Sequence, residues 1–140
     1  MKRTLRTVLL LAALTGLLVV AGCGGDDDAE AEAEESATPA AAVQEIDQIK
    51  QLLDEALAQY RVGDAETAEK TTGDAYLEHF EQVEGPLGEE DHELMEELEH
   101  RISTEIRDEM KNGAPVTEVE KLIDETKTDL DQAQRLLQGS

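Results

Sequence analysis

The stretch VQEIDQIKQLLDEALAQY, residues 43–60, identifies the fold class of this chain. Its apolar residues recur at steps of three and four, which is the spacing of one face of an α-helix: Val43, Ile46, Ile49, Leu53, Ala56, Leu57 and Tyr60. Such a pattern predicts an amphipathic helix that buries one face against other helices. We expect this helix to end at Gly63, and Asp64 to cap the start of the next one.

Three more segments downstream show the same helical spacing. They cover residues 65–83, 94–110 and 116–137, and they are separated by the Gly- and Pro-containing stretches 85–88 and 112–115. No segment alternates polar and apolar residues in the way that a strand does. Four helices of similar length with short connections predict an all-α fold, an antiparallel four-helix up-down bundle over residues 43–138.

The segment before the bundle has the composition of an export signal. Residues 1–22 carry Lys2, Arg3 and Arg6 near the start, followed by an apolar run from 8 to 20. The run Val20-Ala21-Gly22-Cys23 resembles the lipobox of bacterial and archaeal lipoproteins, in which the cysteine is lipidated and becomes the mature N-terminus. We therefore predict a lipoprotein signal peptide over 1–22 and lipidation at Cys23, which places the protein on the extracytoplasmic face of a membrane. The alternative is an ordinary secretory signal with an incidental cysteine.

Residues 23–42 are predicted to form an acidic, flexible linker behind the lipidated cysteine. Aspartate, glutamate and alanine dominate this stretch, and it has no basic residue and no large apolar side chain. Such a composition cannot build a core, so we expect a solvated spacer that lifts the domain off the lipid surface.

The charge of the chain limits its partners. It has 34 acidic and 12 basic residues, a net charge of −22, and only two tyrosines and one phenylalanine as aromatic residues. A nucleic-acid backbone would be repelled, and stacking platforms for bases are absent, so nucleic acid is excluded as a partner. The partners that remain are the membrane, through the lipid anchor, and a membrane transporter or iron-uptake protein.

A helical motif in this chain resembles a known family. The pattern is Ala56-x-x-x-Tyr60-x-x-Gly63-Asp64-x-x-x-Ala68, then Ala75-Tyr76-x-x-x-Phe80-Glu81-x-x-Glu84-x-x-Leu87, with Leu98-Glu99 and Ile106-Arg107 further on. Over residues 50–137 it is similar to the extracytoplasmic N-terminal helical region of bacterial high-affinity iron permease family proteins. The resemblance implies a four-helix module associated with iron uptake.

The permease membrane part is absent from this sequence. The family's Arg-Glu-x-x-Glu transport motif has no counterpart, since Arg107 is followed by Asp108, and no apolar span occurs after Val20. The resemblance therefore implies an accessory or sensing role rather than permeation. A second resemblance, to a tetratricopeptide repeat, rests on the Tyr60-x-x-Gly63-Asp64 turn, but no further copy follows at the spacing that such arrays need.

Four residues are candidate metal ligands: His79, Glu81, Glu84 and Glu99. His79 lies on the apolar face of the second predicted helix, where a histidine is more often a packing residue than a ligand. Glu84 and Glu99 flank the apolar stripes of the second and third helices, whereas Glu81 points away. If these helices are antiparallel neighbours, Glu84 and Glu99 meet His79 or each other, which suits iron or another divalent cation. The competing interpretation is that an acidic bundle has solvated glutamates on every flank.

Other histidine patterns do not complete a known site. His92 begins a zinc-protease-like helix but has Glu96 where a second histidine is required. Glu97 and His100 have the spacing of half a di-iron site, yet both are expected to face solvent. With no nucleophile–base pair, phosphate loop or haem motif, we predict that the protein is not an enzyme.

Two functional hypotheses follow. The first is a membrane-anchored extracytoplasmic lipoprotein that serves as an accessory, metal-sensing or metal-binding module in the uptake of iron or another divalent cation. The second is a ligand-free helical lipoprotein with a structural or protein-interaction role, tetratricopeptide-like at most.

Overall fold

The computed structural model describes residues 37–139, which form four helices and no strand. Helix α1 is Pro39–Arg61, and α4 is Val116–Gly139. Helix α2 covers residues 65–90 in three consecutive segments, Ala65–Asp74, Ala75–Phe80 and Glu81–Glu90. Helix α3 covers residues 92–112, also in three segments, His92–His100, Arg101–Glu105 and Ile106–Asn112. The all-α prediction is confirmed. The predicted signal peptide 1–22, Cys23 and the linker up to residue 36 lie outside the described residues.

Polar caps define the helix starts. The Asp64 side chain accepts a hydrogen bond from the Thr67 backbone N–H, which confirms the predicted cap, and Asp91 does the same for the Leu94 N–H. Such a bond satisfies one of the free N–H groups at a helix start. At the other ends, Gly63 and Gly113 adopt left-handed φ angles of 88° and 73°. Only glycine takes these angles without strain.

Two helix boundaries differ from those expected. Helix α1 begins at Pro39, inside the range predicted as linker, because Thr38 caps it and Ala42 is fully buried. Helix α2 does not end at 85–88 but continues to Glu90 with Pro86 inside it. Pro86 and the following Leu87 are buried, and this burial offsets the poor helix propensity of proline.

Helices α2 and α3 each contain a π-helical stretch, which the sequence pattern did not predict. These stretches are Ala75–Phe80 in α2 and Arg101–Glu105 in α3, and residues of the two contact each other. A π-helical turn inside an α-helix accommodates an extra residue and is frequently found at functional sites. Tyr76 lies inside the first stretch and contacts Glu99 of α3, which precedes the second stretch by two residues.

The core is aliphatic and matches the predicted stripes closely. Its largest fully buried side chains are Phe80, Ile46, Ile49, Leu53, Leu87, Leu98, Ile102, Ile106, Met110, Ile123, Leu130 and Val83. The rings of Tyr76 and Phe80 stack with their centroids 6.2 Å apart. Truncating a buried phenylalanine costs about 3–5 kcal/mol, so Phe80 is a principal anchor between α2 and the rest of the core.

Polar contacts join the helices along their flanks. The Lys50 Nζ atom of α1 lies 2.9 Å from the Asp131 carboxylate of α4, and Arg101 of α3 lies 2.6 Å from Asp129 of α4. The Tyr60 hydroxyl donates a 2.7 Å hydrogen bond to the carbonyl of Ala114, between α3 and α4. Over residues 37–139, no helix combines the length and apolar composition that crossing a membrane requires.

Candidate functional site

The candidate site is a cluster of three side chains between α2 and α3, namely Tyr76, Glu84 and Glu99. Tyr76 lies in the π-helical turn of α2, and Glu84 lies two helical turns further on, so both face α3. The Tyr76 hydroxyl donates to the Oε1 atom of Glu99 at 3.5 Å, and the Glu84 carboxylate is close enough to raise the pKa of Tyr76. One phenol thus lies between two carboxylates, and we call this group the Tyr76 cluster.

One carboxylate oxygen in the cluster is buried without a hydrogen bond. The Oε1 atom of Glu84 is shielded from solvent and has no hydrogen-bond partner among the described residues. Buried polar atoms in folded proteins are almost always paired, because an unpaired one forfeits its hydration. The energetic cost is larger for a charged group than for a neutral one.

Burial and mutual repulsion perturb the cluster's acid–base chemistry. Burial raises the pKa of Tyr76 to about 12, with further contributions from the negative charges of Glu84 and Glu99. Burial is also the main reason that the pKa of Glu84 is raised, and the neighbouring charge of Glu99 acts in the same direction. The nearby Tyr76 hydroxyl lowers the pKa of Glu84 and so opposes that rise only in part. The cluster is therefore a place where negative charge is unfavourable unless a cation or a proton neutralises it.

The other two predicted ligands lie apart from this group. Glu81 is exposed on α2 and reaches the cluster only through its charge, which contributes to the raised pKa values of Tyr76 and Glu84. His79 has its Nδ1 atom 2.7 Å from the Oε2 atom of Glu45 on α1. Of the contacts expected from the sequence, the structure thus brings Glu84 close to Glu99, and it pairs His79 with a different carboxylate.

Glu45 is a residue that the sequence analysis missed. It lies on the flank of α1 next to the buried Ile46, a position that a helical pattern marks only as a boundary between core and solvent. Its side chain is 24% exposed and that of His79 is 21% exposed, so the pair is partly shielded. Nothing in the local sequence could indicate a pair of residues 34 positions apart in the chain.

A metal site with a full set of protein ligands is not formed by these residues. Between residues 37 and 139, no group of three or more histidine, cysteine, aspartate or glutamate side chains is arranged to hold a metal ion. The Tyr76 cluster offers two carboxylates and a phenol oxygen, so bound water would have to complete the coordination of any cation there. His92 and His100 are exposed, as the sequence predicted for His100, and His92 pairs with Glu96 at 3.3 Å.

A second feature lies on the same two helices, nearer their other end. Arg107 of α3 packs against Gly73 of α2 and donates a hydrogen bond to Glu69 at 2.8 Å, while Lys111 reaches the same carboxylate at 2.9 Å. A groove of about 390 Å³ adjoins these residues. Its wall includes Leu77, which is 60% exposed and is one of the few large apolar side chains on the described surface. Such a groove with an exposed leucine is compatible with a contact to another protein.

No protein-family model, curated protein or solved structure matches this chain. The proposed function therefore rests on the geometry of the described residues.

Proposed function

We propose that the protein is a membrane-anchored extracytoplasmic lipoprotein whose helical domain binds a divalent cation, such as ferrous iron, at the Tyr76 cluster. In this proposal it is an accessory module for the uptake of that cation by a membrane transporter. The observation that carries the proposal is the Oε1 atom of Glu84, a shielded carboxylate oxygen with no partner, beside a second carboxylate.

The donor set supports a cation that prefers oxygen ligands. Two carboxylates and a phenol suit hard or borderline cations, whereas soft ions select sulfur or nitrogen. A divalent cation between Glu84 and Glu99 would neutralise both charges and give the shielded oxygen a partner. The side-chain contact of His79 is with Glu45 of α1 rather than with Glu84 or Glu99, so the proposed ligand set leaves out the imidazole, and Glu81 acts through its charge alone.

The arrangement of the helices is part of the proposal. We infer an antiparallel up-down bundle, because contacts between α1 and α4 run in opposite directions along the chain. Val43 contacts Gln134, Asp54 contacts Lys127, and Arg61 contacts Glu120. Such a bundle brings both ends of the described domain to one side.

Calorimetric titration of the purified mature protein in physiological salt tests cation binding. With ferrous, manganese and calcium ions, we expect saturable binding of one equivalent for at least one ion. Glu84→Gln and Glu99→Gln should each lower the affinity by about tenfold or more. Glu89→Gln is the matched control, since Glu89 is an exposed glutamate on the same helix. Unsaturable binding, or an equal loss in the control, would show a diffuse counterion effect and contradict the proposal.

Lipid attachment is tested separately from cation binding. Cells that express the chain are labelled with radioactive palmitate, and we expect the label on the wild-type protein and none on Cys23→Ser. The variant should also appear in the soluble extracytoplasmic fraction rather than the membrane fraction. Equal labelling of both proteins would contradict a lipid anchor at Cys23.

The alternative is a ligand-free interaction module, and the exposed Leu77 beside the Arg107 groove favours it. In that case Leu77→Glu should abolish recovery of a membrane partner after cross-linking, with no change when chelator is added. The cation-binding proposal instead expects recovery of a transporter to depend on the cation and on Glu84.

A further inference from the structure

The turn between α3 and α4 contains the chain's only asparagine, and a glycine follows it directly. Asn112 is the last residue of α3, and both Asn112 and Gly113 are exposed. Gly113 has a φ of 73°, and a Cβ atom built there would meet no atom within 4 Å. The residue that follows Asn112 therefore has no side chain that could hinder attack by its backbone nitrogen, and no atoms from elsewhere in the described fold crowd its Cβ position.

We propose that Asn112 is a site of spontaneous deamidation that converts this turn to an aspartate or isoaspartate form. In the first step the backbone nitrogen of Gly113 loses its proton to solvent and attacks the side-chain carbonyl carbon of Asn112. The bond from that carbon to the amide nitrogen breaks, ammonia leaves, and a succinimide ring forms. Water then opens the ring at either carbonyl, so the net reaction consumes one water, releases one ammonia and involves no oxidation.

The local structure controls the rate of the first step. The Gly113 N–H donates to the Met110 carbonyl at 3.2 Å, and Asn112 itself is helical. Ring closure requires this last turn to open, which removes the bond and frees the backbone of Asn112. The final turn of a helix frays readily because its last four carbonyls have no partner within the helix. The reaction is therefore slower than in the unfolded chain but is not prevented.

The products disturb specific contacts. An aspartate places a negative charge at the C-terminal end of α3, where the helix dipole disfavours it. An isoaspartate lengthens the main chain by one carbon immediately before Gly113. The next residue, Ala114, donates its N–H to the Glu109 carbonyl at 3.0 Å and accepts the Tyr60 hydrogen bond at 2.7 Å. Lengthening the chain there should loosen the connection of α1 to this turn.

Ageing the purified mature protein in mildly alkaline buffer at body temperature tests the inference. We expect ammonia release to approach one equivalent per chain, with peptide mass spectrometry locating the change at residue 112. The chain unfolded in guanidinium chloride should react severalfold faster, and Asn112→Gln should release essentially no ammonia over the same period. Asn112→Asp supplies the reference for the aspartate product.

Two results would overturn the inference. In the first, the folded protein shows no change at residue 112 over the time in which a parallel sample of unfolded chain reacts completely. This would mean that the folded turn protects Asn112. In the second, Asn112→Gln releases as much ammonia as the wild type, which would place the source at the glutamines. Neither result bears on cation binding, so this test is independent of the proposed function.

Discussion

The Nδ1 atom of His79 and the Oε2 atom of Glu45 lie 2.7 Å apart, which ties the π-helical turn of α2 to α1. Both side chains are partly shielded from solvent, so the contact is neither a core interaction nor a freely solvated pair. The contact occupies the Nδ1 atom of His79 and directs the ring toward α1, whereas the Tyr76 cluster lies between α2 and α3.

The first prediction concerns this pair. His79→Gln should lower the free energy of unfolding by about 1 kcal/mol, because a partly buried hydrogen bond to a carboxylate is lost or weakened. The variant should bind cations with unchanged affinity. Urea denaturation gives the stability, and a double-mutant cycle with Glu45→Gln should show that the two effects are not additive. Additive effects, or a loss of cation affinity, would mean that His79 has another role.

Alkaline titration tests the burial of Tyr76. Its pKa is raised to about 12 by burial and by the neighbouring glutamates, whereas an unfolded tyrosine titrates near about 10. Between these values the folded state holds a proton that the unfolded state has lost, so stability should fall as pH rises through this window. Ultraviolet absorbance should show one late phenolate transition that is missing in Tyr76→Phe. A transition near 10 for every tyrosine would contradict the buried cluster.

Removing the charge of Glu84 should stabilise the cation-free protein. The raised pKa of Glu84 means that the fold favours its protonated form. The wild type should therefore gain stability relative to Glu84→Gln as pH falls from neutral into the carboxylate range. At neutral pH we expect Glu84→Gln to be more stable by about 1 kcal/mol, since a neutral amide can donate to Glu99. Glu89→Gln should change little at either pH, and a destabilised Glu84→Gln would contradict the account.

Two glycines should respond to alanine in opposite directions. Gly73 lies inside α2, and a Cβ atom there would lie 3.6 Å from Arg107, an ordinary contact, so Gly73→Ala should stabilise by about 0.5–1 kcal/mol through helix propensity. Gly113 has a positive φ of 73°, so Gly113→Ala should destabilise by about 1 kcal/mol or more. Thermal unfolding measures both, and a shift of the same sign in both variants would refute the assigned backbone conformations.

Salt should stabilise the domain. Residues 43–140 contain 27 acidic and 9 basic residues, and their net charge of −18 produces self-repulsion in the compact state. Added sodium chloride shortens the screening length from about 30 Å at 0.01 M to about 8 Å at 0.15 M. We expect the melting temperature to rise over this range. An unchanged value would show that ion pairs such as Lys50–Asp131 already compensate the charge locally.

Much of the fold could be predicted because the helical pattern is regular. Residue spacing alone predicts the buried face of α1 from Ile46 to Tyr60 and the cap at Asp64, and the structure confirms both. The continuation of α2 through Pro86 was not predicted, because burial in the core overrides the tendency of proline to end a helix. The π-helical turns were not predicted either, because the additional residue that each accommodates lengthens the spacing of the apolar residues only slightly.

The site was predictable only in part. Glu84 and Glu99 could be named because they flank the apolar stripes of adjacent helices, which is a local property of each helix. The role of Tyr76 depends on packing of α2 against α3, and the partner of His79 depends on packing of α2 against α1. Both are long-range relationships, and a single sequence does not record them.

The most direct test of cation binding at the Tyr76 cluster compares the unfolding of wild type and Glu84→Gln with and without a saturating cation. Without the cation, Glu84→Gln should be the more stable protein. With the cation at about a hundred times its Kd, the wild type should gain about 2.7 kcal/mol and become the more stable of the two, while the variant gains far less. If the cation leaves the stability of the wild type unchanged, or stabilises both proteins equally, then Glu84 is not a ligand and the proposed cation site at the Tyr76 cluster is wrong.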